Sequence, residues 1–254
     1  MAYWNYARFV RYVANNTDSE QMLKYSNSEL DERTFVDNAV EYLGRFWGTE
    51  LDREYTPEEW RTGRPGKPMA IDLIRTKNNE FDTAIEVKFV RDRQSFASDI
   101  VDDLLRLLSL QNVRERYLLI GGHKKKYQDT WEKSEILNGL LPLDHDKRFG
   151  KDREKSKLAV FWKKAQYKGR GKIEVDLDAE ETRGKGKKKG HKIPVEVVER
   201  FKKQKDKFNT EIDLKFEIEL KAYFCPRGDW GIDDPMHETI PFVDVRLWKV
   251  TPLR

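Results

Sequence analysis

The sequence predicts an α/β fold, a mixed central sheet flanked by helices, followed by an α+β C-terminal extension. Three observations lead there. Hydrophobic periodicity along the first 141 residues runs helix, three strands, helix, strand, helix. A nearly all-polar stretch from 142 to 156 (PLDHDKRFGKDREKS) then interrupts the series as a linker or long loop. Beyond it, EIDLKFEIELKAYF (211–224) sets Ile212, Leu214, Phe216, Ile218, Leu220, Ala222 and Phe224 on one side and mostly charged residues on the other, as in a long antiparallel strand with one wet face. The division falls at 145/146, giving a core over 1–145 and a C-terminal region over 146–254.

Taken in order, residues 3–14 place Tyr3, Tyr6, Val10 and Val13 at helical spacing, with Trp4 and Phe9 nearby. Thr17 with Glu20 fits a capping box, as does Ser26 with Glu29 at the start of a longer helix that Gly48 ends after Trp47. Glu32 heads the apolar stripe of that helix, ahead of Phe35, Val36, Ala39, Val40, Leu43 and Phe46. TELDREYT (49–56) alternates weakly as a first strand. MAIDLI (69–74) and AIEVKFV (84–90) are apolar and β-branched strands, with RTKNNEFD as the turn between them. RDRQSFASD is a polar loop, and IVDDLLRLLSL (100–110) a crossover helix or dimer contact. A strand over 117–120, stopped by Gly121 and Gly122, lies parallel to 84–90, and 127–141 forms another helix. In the C-terminal region KLAVFWKKAQ and KIEVDLD read as strands and IPVEVVERFKKQKDKF as a helix. FVDVRLWKV (242–250) is the antiparallel partner of 211–224.

Side chains alternate faces along a strand, so Asp72 shares a side with Ala70 and Ile74, and Glu86 and Lys88 share one with Ala84 and Val90. Ile71, Leu73, Ile85, Val87 and Phe89 take the opposite, uniformly apolar side. Glu86 and Lys88 then stand about 7 Å apart along one strand. Charges inside apolar strands are costly unless paired or metal-bound, which makes function the economical explanation.

Asp72, followed fourteen residues later by Glu86-x-Lys88, resembles the PD-(D/E)xK nuclease superfamily over about residues 26–140, with Pro68 four residues before Asp72. The resemblance implies a restriction-endonuclease-like core and a divalent-metal-dependent hydrolase of phosphodiester bonds, an endodeoxyribonuclease before a ribonuclease. It implies that Asp72 and Glu86 hold one or two Mg²⁺ (or Mn²⁺) ions and that Lys88 orients the attacking water or offsets transition-state charge. An acidic residue on the helix before the sheet often joins such a site; Glu32 is the candidate and Glu29, one turn earlier, its substitute. The residues themselves leave another reading open, in which Glu32 is a first-turn acid favoured by the helix dipole.

Of 254 residues, 49 are Lys or Arg and 45 Asp or Glu, a net charge of +4 that permits nucleic-acid binding without arguing for it. Clustering says more. Lys124, Lys125 and Lys126 follow the Gly121-Gly122 strand end, and Lys185, Lys187, Lys188 and Lys189 sit in a Lys/Gly tract from 183 to 192. Each cluster reads equally as a phosphate-contacting patch or a solvated loop. The single Cys225 excludes an internal disulfide and a cysteine-rich zinc site, and the four histidines share no ligand spacing. Phosphate-binding, dinucleotide and serine-hydrolase signatures are absent. With neither a signal-peptide core nor a membrane-length apolar run, the expectation is a cytoplasmic protein without a membrane partner. The alternative function is a catalytically inactive nucleic-acid-binding or protein-interaction module on the same fold, with Asp72, Glu86 and Lys88 as a structural ion-pair cluster. A homodimer or partner-protein contact through the C-terminal region is the remaining partner expectation.

Overall fold

The computed structural model of the chain describes residues 4–23, 32–57, 69–90, 96–123, 172–176, 215–226 and 243–253, with separate positions at 130, 134, 137, 140, 141, 198, 199, 201–203 and 212. Among the described residues, three continuous α-helices, α1 (Tyr6–Leu23), α2 (Glu32–Trp47) and α3 (Phe96–Ser109), flank seven strands: β1 (Leu51–Tyr55), β2 (Ile71–Lys77), β3 (Glu80–Val90), β4 (Glu115–His123), β5 (Lys172–Asp176), β6 (Lys215–Phe224) and β7 (Val243–Pro252). One mixed sheet holds them in the order β1-β2-β3-β4-β7-β6-β5. β3 and β4 are parallel and joined through α3; the other neighbours are antiparallel. The expected α/β class and the parallel crossover are therefore present. β7 pairs with β4, so strands from both sides of residue 145 share this sheet.

Both faces of the sheet are covered, as strand parity requires. Leu73, Ile85, Val87, Phe89, Tyr117, Leu119, Val245 and Leu247 pack with α1 and α2, while Ile74, Ala84, Val90, Leu118, Ile120, Trp248 and Val250 pack with α3. Ile71 departs from the expected alternation and joins the α3 side. It lies beyond the last β2–β3 pair, where β3 no longer imposes parity.

α1 runs straight through Thr17, where a new capping box was expected. Asn5 is the cap actually used: its Oδ1 accepts the Arg8 N–H at 3.0 Å. Thr17 is fully buried, and its hydroxyl accepts a hydrogen bond from Asn38 of α2 at 3.1 Å, tying the two helices together. The buried stripe of α2 is Phe35, Asn38, Ala39, Tyr42, Leu43 and Trp47; it keeps the expected Phe35, Ala39 and Leu43, with Val36 and Val40 partly buried beside it, but Phe46 is 51% exposed. The long turn expected between β2 and β3 is a two-residue one. Asn78 and Asn79 both have positive φ (53° and 63°), which asparagine tolerates and which suits a tight hairpin between right-twisted strands.

α3 begins at Phe96, inside the segment read as a polar loop. Its C-terminal end is held by the buried Arg116 of β4, whose guanidinium donates to the carbonyls of Leu107, Leu110 and Val113 at 2.7–2.8 Å. Leu107 is in the last turn of α3 and the other two carbonyls lie just beyond it, so the cation sits at the negative end of the helix dipole. Within 215–224 the expected alternation and the pairing with β7 are observed, with one correction, while 211, 213 and 214 lie outside the described residues. Phe216, Ile218 and Leu220 face α3, but Ala222 and Phe224 face α1, because a bulge between Leu220 and Ala222 inverts the parity. Positions 130, 137 and 140 are helical, as are 198, 199 and 201–203, within segments expected to be helices. The expected strand over 157–166 and the tract from 183 to 192 lie outside the described residues. No helix among the described residues is long and apolar enough to cross a membrane.

Candidate active site

Asp72 sits where the hydrogen-bond ladders on both sides of β2 lapse. The β2–β3 register reaches Leu73 opposite Ile85. Toward β1, Arg53 pairs with Leu73 and Tyr55 with Ile71, and Glu54 between them has a φ of 47°. A left-handed glutamate is uncommon and marks a geometry imposed by its surroundings. In place of the ladder, Asp72 Oδ2 accepts the Val87 N–H at 2.7 Å. That bond pins the carboxylate across the gap, near enough to Glu86 for its charge to act there.

Glu86, midway along β3, is completely buried. Its surroundings are supplied by α3. Arg106 grips both carboxylate oxygens, Nε to Oε1 at 2.7 Å and Nη2 to Oε2 at 3.2 Å. The same Nη2 also donates to Asp103, one turn back on α3. Lys88 takes the remaining acids: its ammonium is 3.5 Å from Asp103 Oδ2 and 3.6 Å from Glu32 Oε1. Asp72, Glu86, Lys88 and Glu32, singled out in the sequence, thus come together, joined by Asp103 and Arg106, which were not. A signal for Asp103 was there: it lies at helical spacing from Phe96, Ile100, Leu107 and Leu110, so a carboxylate occupies the buried stripe.

The electrostatics follow from four carboxylates around two basic side chains, two negative charges in excess when all are ionised. Burial, reinforced by Asp72, raises the Glu86 pKa well above the usual carboxylate range despite Arg106. Burial likewise raises Asp103 to about 7, against the pull of Arg106 and Lys88. For Lys88, burial works to lower the pKa, but Asp103, Glu32 and Asp72 together outweigh it and the net direction is up. Lys88 is therefore a firm ammonium. Asp103 Oδ2 is buried and receives no hydrogen bond among the described residues.

This donor set fits a hard divalent cation in type and in charge: oxygen ligands on adjacent strands and an unmet demand for positive charge. Placement is a separate matter. Among the described residues no three acidic, histidine or cysteine side chains converge as a metal-holding group, and both Glu86 oxygens are engaged by Arg106.

A second charged pair extends the same face. Register runs from Lys88 across Ile120 to Arg246, about 10 Å over two strands. Arg246 is buried, bonded through Nε and Nη2 to Asp244 at 3.0 Å each, and lies 4.6 Å from the Tyr223 ring centroid. Its partners share one strand and its neighbour, a relation visible once β6 and β7 are paired. Glu29, Lys124, Lys125, Lys126, Lys185, Lys187, Lys188 and Lys189 lie outside the described residues. β4 ends at His123, one residue past the Val90–Gly122 pair and at the sheet end that carries Lys88. No protein-family model, curated protein or solved structure matches the chain.

Proposed function

We propose that the chain is a divalent-metal-dependent nuclease of the PD-(D/E)xK type, with a restriction-endonuclease-like core, that hydrolyses phosphodiester bonds in DNA. The observation that carries this reading is the meeting of Asp72, Glu86 and Lys88 on adjacent strands where the ladder opens, with Glu32 of α2 brought to the same ammonium. Asp72 and Glu86 would hold Mg²⁺ or Mn²⁺, with Glu32 reaching the site through Lys88. The bound ion would supply Lewis acidity toward the phosphate and a more acidic water. Lys88, whose acidic neighbours favour its ammonium form, would orient the water or offset negative charge developing on the phosphorus oxygens.

One observation favours a second reading. The Arg106–Glu86 fork and the Lys88–Asp103 pair satisfy one another without a metal, as they would in a nucleic-acid-binding or protein-interaction module with no catalysis. Cleavage of plasmid, linear and single-stranded DNA with Mg²⁺, Mn²⁺ or EDTA separates the two. The nuclease reading expects metal-dependent cleavage that falls by ~10²-fold or more in Asp72→Asn, Glu86→Gln and Lys88→Met, each still folded by circular dichroism. Wild-type protein inert with every substrate and both metals selects the module.

A further inference from the structure

We propose that Arg106 competes with the divalent cation for Glu86 and so sets the metal affinity of the site. This rests on the reading of Asp72 and Glu86 as cation ligands. Three features of the geometry point to it. First, the guanidinium spends two of its donors on the two oxygens a metal would need, so cation and arginine cannot share Glu86 without placing like charges side by side.

Second, the two partners differ in freedom. Glu86 is fully buried in the middle of β3, with its backbone paired to Leu118 of β4, and has no path away. Arg106 stands on the last turn of α3 with a fifth of its side chain exposed, so it is the group that moves. Third, it has a second seat. Nη2 already donates to Asp103, three residues earlier on the same helix, and this contact travels with α3 rather than with the sheet. Releasing Glu86 leaves Arg106 bonded to Asp103, so the arginine exchanges one carboxylate for a hold it already has.

Mn²⁺ titration calorimetry on the full chain tests the competition directly. Arg106→Gln removes the competing charge and should bind Mn²⁺ about tenfold or more tightly than wild type. Arg106→Lys, which keeps a charge but loses the fork, should fall between them. A readout on wild type guards against a variant that does not fold. The arginine Nε–Hε resonance that disappears in Arg106→Lys should shift when Mg²⁺ is added to wild type. Unchanged or weaker Mn²⁺ binding in Arg106→Gln, or a resonance indifferent to Mg²⁺ in a wild type that binds it, overturns the competition and leaves the ligand assignment standing. Failure of wild type and both variants to bind Mn²⁺ at all overturns both.

Discussion

Asp103 shows what a single buried carboxylate does to this molecule. It shares the inward face of α3 with Ile100 and Leu107, where a leucine would pack without electrostatic cost, and it is held by Arg106 and Lys88. Removing one partner of such a buried pair typically costs about 3–5 kcal/mol, because the other charge is left uncompensated. Its pKa, raised to about 7 chiefly by burial, makes stability depend on pH. An unfolded aspartate titrates near ~3.9, so between roughly pH 4 and 7 the folded chain binds the extra proton. Stability from this group is full below the unfolded value and is lost as pH rises through about 7. In EDTA, wild type should therefore lose urea stability from pH 5 to 8 more steeply than Asp103→Asn; parallel slopes would show that Asp103 is ionised throughout. Asp72, Glu86 and Lys88 were legible in the sequence because parity alone puts them on one face. Arg106 was not, since an arginine on an otherwise leucine-rich helix reads as its solvated side until the crossover brings it over β3.

Among the elements, α2 positions Glu32 by means of one tight joint. Phe35, the next turn of α2, lies against Gly121 of β4 so closely that a Cβ there would come within 2.4 Å of the ring carbon Cζ. In the sequence Gly121 looks like a strand stop. Its role is close approach: β4 continues to His123, and the missing side chain is the seat of the α2 aromatic. Gly121→Ala should push α2 outward, cost about 1–3 kcal/mol by overpacking, and lengthen the Glu32–Lys88 contact now at 3.6 Å. Adding Phe35→Leu should return much of the stability in a thermal melt; an unaltered melting temperature in Gly121→Ala would mean that the ring gives way without moving the helix. The apolar face of α2 is only partly legible in its own sequence: Phe35, Ala39 and Leu43 are buried as the periodicity expects and Val36 and Val40 pack partly against the core, but Phe46 is exposed where Tyr42 and Trp47 are buried. Val36, Val40 and Phe46 fit an apolar stripe as well as the observed Tyr42 and Trp47 do, and the choice is made by α1 and the sheet, which periodicity within one helix does not contain. The bulge in β6 is invisible in its own sequence for a similar reason. Its apolar alternation is unbroken in sequence, while the change of face comes from pairing with β7.

At the scale of the whole molecule, the pattern change after residue 141 marks a change in composition, and the sheet continues across it. β4 is the fourth strand of seven, and its second neighbour, β7, comes from the far end of the chain. β7 serves both cores, sending Val243, Val245 and Leu247 to the α1–α2 side and Trp248 and Val250 to the α3 side. It also closes a polar network over the N-terminal aromatics. Lys249 donates to Glu115 at 3.0 Å, Glu115 accepts from the Tyr117 hydroxyl at 2.8 Å, and Tyr117 meets the Tyr6 hydroxyl of α1 at 2.6 Å. Truncating Trp248 alone to alanine should cost about 3–5 kcal/mol. Removal of residues 146–254 does far more, since it strips β7 from β4 and bares an apolar strand with unpaired backbone groups along its length. A fragment of residues 1–145, which contains Glu32, Asp72, Glu86, Lys88, Asp103 and Arg106, should therefore neither melt cooperatively nor bind Mn²⁺, and should bind a hydrophobic dye. The full chain should melt in one transition by fluorescence and circular dichroism together. A fragment that unfolds cooperatively and binds Mn²⁺ as the full chain does would make the first 145 residues a self-sufficient domain and reduce β6 and β7 to an attachment on its edge.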